Sequence, residues 1–125
     1  SPSQQQQQQQ KNTLILGNGN KINLGDSKLG SYIHIEKNAI LSLGKKTKAE
    51  SENKLTITSK DSIYRSISPI IIGNDAGDKS TGTLNMYSGV AISGIKADKN
   101  IDGSALKIAN GQFNMYGGEI NNNEI

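Results

Sequence analysis

Cysteine is absent from the 125 residues, which excludes disulfide frameworks, CxxC redox chemistry and thiolate zinc sites. Histidine occurs once, as His34 inside a strand-like alternation that points it to solvent, and this argues against a histidine-rich metal site or a Ser-His-Asp triad. Arginine also occurs once, as Arg65, and base-edge readout leans on arginine, so no nucleic-acid partner is expected despite a net charge of +3. No apolar run approaches the roughly 20 residues of a membrane-crossing helix, so no membrane span is expected. The start, Ser1-Pro2, has no basic-then-apolar leader, and the chain reads as processed or excerpted. None of the 14 asparagines sits in an Asn-x-Ser/Thr sequon, which argues against a eukaryotic extracellular glycoprotein.

Apolar residues are few but sufficient for one modest folded domain. Residues 1–12, which open "SPSQQQQQQQ", carry no apolar side chain to offset ordering entropy and are expected to form a disordered leader or linker. From residue 13 onward the apolar residues come in short packets, among them Leu14 to Leu16, Ile33 to Ile35, Leu55 to Ile57, Leu84 to Met86 and Phe113 to Met115. Many alternate apolar and polar, the period of a strand with one buried face. The separators ("GNGNK", "GNDAGDKSTG", "GGEINNN") are turn formers that break helices. Isoleucine outnumbers leucine 17 to 9, and its branched β-carbon suits pleats better than helices. The expectation is an all-β domain over residues 13–125.

An internal repeat selects the type of all-β fold. "TLNMYSGVAI" at 83–92 matches "QFNMYGGEI" at 112–120, with Asn85-Met86-Tyr87 over Asn114-Met115-Tyr116 and Gly89 over Gly118. Repeats of about 20 to 30 residues are those of solenoids, and short strands between tight Gly/Asn corners are what a parallel β-helix needs. Extrapolated backward, the register places the Leu55, Ile33 and Leu14 packets in one column with Leu84. A β-sandwich would instead need two-residue hairpin turns, and only Asn18-Gly19 and Asn110-Gly111 offer the favoured dipeptide. About four to five irregular coils are expected, as part of a longer solenoid. Their open ends predict end-to-end self-association or marginal stability of the isolated chain.

The segment "GSALKIANGQFNMYGGEINNN" at 103–123 resembles the repeat of bacterial surface proteins with right-handed parallel β-helices, the adhesin-like and autotransporter-passenger-like class. The resemblance is carried by Phe113, Met115, Gly117, Gly118, Ile120 and Asn122, with one imperfect further copy at 82–94. It implies a non-catalytic, secreted or cell-surface bacterial module with a structural or adhesive role. Ile, Lys and Asn number 17, 13 and 14, a composition compatible with an AT-rich bacterial genome.

If Leu84, Met86, Phe113 and Met115 face the core, then Asn85, Tyr87, Asn114 and Tyr116 project outward, stacked about 5 Å apart. Paired tyrosines beside amides could grip a sugar ring or a protein partner, or could serve only as a stabilising ladder. The backward extrapolation puts His34 and Thr56 above the asparagines, and Glu36 and Thr58 above the tyrosines. Asn74, Asp75 and Asp78 in a glycine-rich loop are hard oxygen ligands of the kind Ca²⁺ takes, although a plain Asp/Gly turn is the favoured reading, since the tandem array of a calcium-binding repeat is missing; no other cofactor is suggested. The cluster Lys45-Lys46-Thr47-Lys48, partly balanced by Glu50 and Glu52, reads as a solvated loop. The alternative to a binding module is a fragment of a β-helical carbohydrate-active enzyme, lyase-like or hydrolase-like. Clustering of Glu36, Asp61, Asp98 and Asp102 on one outer sheet would favour it.

Overall fold

Alternating residues become strands wherever one face can be buried, and thirteen short strands occur among the described residues. A computed structural model describes residues 10–24, 32–59, 63–64, 68–77, 79–97 and 104–124. The glutamine run up to residue 9, with Asp61, Arg65, Asp78, Asp98 and Asp102, lies outside the described residues. In chain order the elements are β1 (Asn12–Ile15), β2 (Asn20–Asn23), β3 (Ile33–Ile35), β4 (Ala39–Leu43), α1 (Glu50–Asn53), β5 (Leu55–Thr58), β6 (Ile63–Tyr64) and β7 (Ile70–Ile72). They continue as β8 (Gly82–Met86), β9 (Val90–Ser93), β10 (Lys96–Ala97), β11 (Lys107–Ile108), β12 (Gly111–Met115) and β13 (Glu119–Asn121). Among the described residues the protein is all-β apart from the single helical turn α1, and no helix there is long and apolar enough to cross a membrane.

Every pairing between these strands is parallel. The first sheet has the order β1-β4-β8-β12, the second β2-β5-β9-β13 and the third β3-β7-β11, while β6 pairs with β10. Each strand of the first sheet is followed in the chain by one of the second, and each strand of the third precedes one of the first. The chain therefore makes four successive passes: β1 to β3, β4 to β7, β8 to β11, and β12 with β13.

The sequence match at 29 residues is the actual register of β8 and β12, with Asn85 opposite Asn114 and Met86 opposite Met115. Further back the expected column does not hold. Leu84 pairs with Leu41 and, through it, Thr13. The Leu55 packet lies in the second sheet opposite Val90, and Ile33 lies in the third opposite Ile70. The physical reason is that the connections differ in length. Three residues separate β8 from β9, whereas β4 and β5 are separated by the long excursion that contains α1.

Corners between the first and second sheets need left-handed backbone. Gly89 has φ +100°, and a Cβ there would lie 2.4 Å from the Glu50 carbonyl, so the corner is closed to other residues by both conformation and space. Asn18 and Gly19 have φ of 50° and 88°, the pattern of a hairpin turn, yet they join strands of two different sheets.

The core is the set of inward columns drawn from the middle passes and, at Ile35, from the first: Leu43 beside Met86, Leu55 beside Val90, Ile57 beside Ile92, and Ile35 beside Ile72. All are buried, and each fully buried aliphatic side chain contributes about 1.5–3 kcal/mol relative to exposure. Met115, expected inward, has the right parity but is 46% exposed. The cause is that β12 has only β8 beside it in its sheet, so nothing among the described residues covers the far side of its column.

Candidate functional site

The outward column of the first sheet carries Leu14, Ser42, Asn85 and Asn114 in successive passes. Here the expected neighbours are corrected: Ser42 and Leu14, not Thr56 and His34, extend the asparagine column. His34 and Thr56 lie in the third and second sheets, opposite Ile71 and Ala91. The column is laced together by side chains. Asn114 Nδ2 donates to Asn85 Oδ1 at 2.9 Å, and Asn85 Nδ2 donates to Ser42 Oγ at 3.2 Å. Gln112 Nε2 donates to Asn114 Oδ1 at 3.0 Å. The asparagines thus act first as a ladder across three passes, and each amide keeps one further hydrogen and lone pair for a ligand.

Beyond each strand end stands a tyrosine. Tyr87 N–H donates to Leu43 O and Tyr116 N–H to Met86 O, which continues the sheet by one residue and holds the two rings in line. The rings stack with centroids 5.0 Å apart and planes at 24°. Tyr116 is 64% exposed, while Tyr87 is half-buried between its partner and the preceding pass. In that pass the equivalent place is taken by Gly44, where a Cβ would come within 3.1 Å of Tyr87 Cβ and 2.9 Å of Asn53 Cγ. Glutamate and Thr58, expected above the tyrosines, are elsewhere: Glu36 follows β3, and Thr58 ends β5 in the second sheet.

Gly44 opens the excursion 45–54, and one buried side chain closes it. Asn53 Oδ1 accepts from the Lys45 N–H at 2.9 Å, and its Nδ2 donates to the Lys45 carbonyl at 3.0 Å. The returning leg occupies the second pass's corner position: Glu52 and Lys54 carbonyls accept from the Asn18 and Gly19 N–H groups, and Glu50 rests against Gly89. The lysine turn is thereby pushed outward, next to the tyrosines. Lys45, Lys46, Lys48, Asn53, Tyr87, Ser88 and Tyr116 line one cavity of about 520 Å³, a size typical of small-ligand clefts. Lys45 and Tyr87 also border a second hollow of about 290 Å³ that runs along Leu14 and Ser42.

The lining of the larger cavity holds three lysines and no acidic side chain. Lys48 lies 3.9 Å from Glu52, an exposed pair; among the described residues neither Lys45 nor Lys46 makes an ion pair. Other depressions differ in chemistry. One of about 300 Å³, bounded by Glu50, Lys54, Thr56 and Glu119, mixes charges and has no aromatic wall.

In the loop considered for calcium, Asn74 Oδ1 accepts from the Ala76 N–H at 2.9 Å and Asp75 is exposed. No group of three His, Cys, Asp or Glu among the described residues could hold a metal ion. Glu36 accepts from Ser80 Oγ at 3.4 Å and lies 3.8 Å from His34 Nε2, which itself donates to the Gly73 carbonyl at 2.7 Å. Sequence reasoning found the tyrosines and missed the lysines beside them. The signal available was Gly44, which follows Leu43 as Tyr87 follows Met86. No protein-family model, no curated protein and no solved structure matches this chain.

Proposed function

We propose that the chain winds as a right-handed parallel β-helix and serves as a non-catalytic, adhesive module, secreted by or displayed on a bacterial cell, that holds a glycan against Tyr87 and Tyr116. The four passes through the same sheets in the same order support the winding, and parallel strands joined by crossovers are right-handed in about 98% of cases. The bacterial surface setting is supported by the resemblance of the 103–123 repeat and by the Ile, Lys and Asn content.

The observation that carries the function is the stacked tyrosine pair at the wall of a cavity, flanked by an amide ladder. Aromatic faces pack on the apolar face of a sugar ring, and amides and hydroxyls match its ring hydroxyls. Repetition supplies the mechanism: inward columns hold the scaffold, so outward ones can serve recognition.

A glycan array probed with the wild type beside Tyr87→Ala/Tyr116→Ala tests this. The expected result is sugar-dependent binding that falls about tenfold or more in the double variant, with the far-ultraviolet dichroism unchanged. Absence of binding to any glycan, or equal binding by both proteins, would overturn it.

A further inference from the structure

We propose that the site is built for an acidic glycan, one whose sugar rings carry carboxylate or sulfate groups, and that Lys45 and Lys46 are its anion-recognising residues. This deepens the glycan-binding reading and rests on it. Its ground is the meeting, in one cavity, of two features 40 residues apart in sequence: the tyrosine stack from the third and fourth passes and the lysine turn from the second.

The lysine turn is anchored through its backbone, while its side chains face solvent. Asn53, buried at 2% exposure, fixes both backbone groups of Lys45, and Lys48 N–H donates to the Lys45 carbonyl at 3.0 Å. A short turn anchored in this way keeps the lysine backbone beside the aromatic wall, within reach of the side chains, so less ordering of the chain is needed on binding. Glu52 partly neutralises Lys48, which leaves Lys45 and Lys46 as the cations available to a ligand. Lysine ammonium is a compact, rotatable point charge suited to carboxylate or sulfate oxygens presented in varied geometry.

Single-stranded nucleic acid also combines anions with stackable rings, but the surface is poorly suited to it. Such strands are bound along a positively charged groove that tracks the backbone over several nucleotides. Here three lysines meet at one corner, and the column leading away from it is Leu14, Ser42, Asn85 and Asn114, with Gln112 beside Asn114, uncharged groups of which the amides and the hydroxyl match sugar hydroxyls. The tyrosines also stack on each other, which leaves the outer face of Tyr116 as the exposed platform rather than a series of faces for successive bases.

The test is binding of the full chain, by calorimetry or biolayer interferometry, to polygalacturonate, dextran sulfate, neutral dextran, polyglutamate and oligothymidylate. The variants are Lys45→Ala/Lys46→Ala, Lys45→Arg/Lys46→Arg and Tyr87→Ala/Tyr116→Ala. The expected result is binding to one or both acidic polysaccharides, the two arms showing whether carboxylate or sulfate is preferred. That binding should fall about tenfold or more in the lysine-to-alanine variant, be retained in the arginine variant, and weaken as salt rises from low to physiological strength. It should also fall in the tyrosine variant, which separates ring recognition from charge attraction.

Equal binding of dextran and the acidic polymers, lost with the tyrosines and unaffected by the lysines, would overturn the acidic preference and leave the glycan reading intact. Equal binding of polyglutamate would reduce the site to a polyanion patch, and stronger binding of oligothymidylate would make it a nucleic-acid site; either overturns the proposal. Binding to no polysaccharide at all overturns both readings. Thermal melts of the variants report whether any loss comes from unfolding.

Discussion

Met86 and Met115 are the same side chain in the same sequence motif, neighbours in the same column, and the first is fully buried while the second is 46% exposed. The contrast extends to the passes that hold them. Apart from Ile35, every buried apolar residue of the core belongs to the second or third pass, while Leu14, Tyr32, Met115, Tyr116 and Ile120 of the first and fourth are exposed. In a stack of parallel strands, burial is set by having a neighbour on both sides as well as by facing inward. Parity is a property of the sequence, and coverage is a property of the layer.

The sharpest way to break the comparison is to truncate both methionines. Met86→Ala is expected to cost about 2–5 kcal/mol and Met115→Ala less than about 1 kcal/mol, measured by urea denaturation. Equal losses would mean that another surface covers Met115 in solution, as pairing of β12 with a second copy would, and sedimentation velocity distinguishes that case. Next in size is the clamp on the second pass. Asn53→Leu leaves the Lys45 N–H and carbonyl without their buried partner and is expected to cost about 1–3 kcal/mol, with the Lys45 amide losing its protection in hydrogen exchange. Retained protection would show that the turn holds itself. The smallest effect separates inner from outer ladder rungs: Asn85, bonded on two sides, should lose about 1 kcal/mol on change to alanine, and Asn114, on the outer strand, about half of that. A reversed order in thermal melts would show that the ladder is anchored from the fourth pass.

Most strand positions and inward faces were legible in the sequence because alternation is a local property, but β1 departs from this: Thr13 and Ile15 take its inward places and Leu14, expected over Leu84, faces outward. The pairing of β8 with β12 was legible too, since three identical residues, Asn-Met-Tyr, recur with no insertion between copies. The other partners were not. Packets from all three sheets show the same apolar-polar rhythm, so nothing in the Leu55 packet distinguishes the second sheet from the first, and its spacing of 29 residues from Leu84 is accidental. Connection lengths decide which packets stack, and the longest of them, 45–54, hides a helical turn inside a polar run whose order comes from Asn53 and from carbonyls bonded to Asn18 and Gly19. Half of the candidate site was therefore visible as a tyrosine repeat. The other half needed the fold to carry Lys45 to Tyr87.

Because Asn53 seals the excursion at its base, with both bonds returning to Lys45, the outward turn 46–49 stands apart from the layers, while Glu50 and Glu52 behind it are tied to Gly89 and Asn18. The side chains of that turn can drift without rewinding the layers on either side, so a lineage built on this architecture could alter one corner of its surface while inheriting unchanged how it stands.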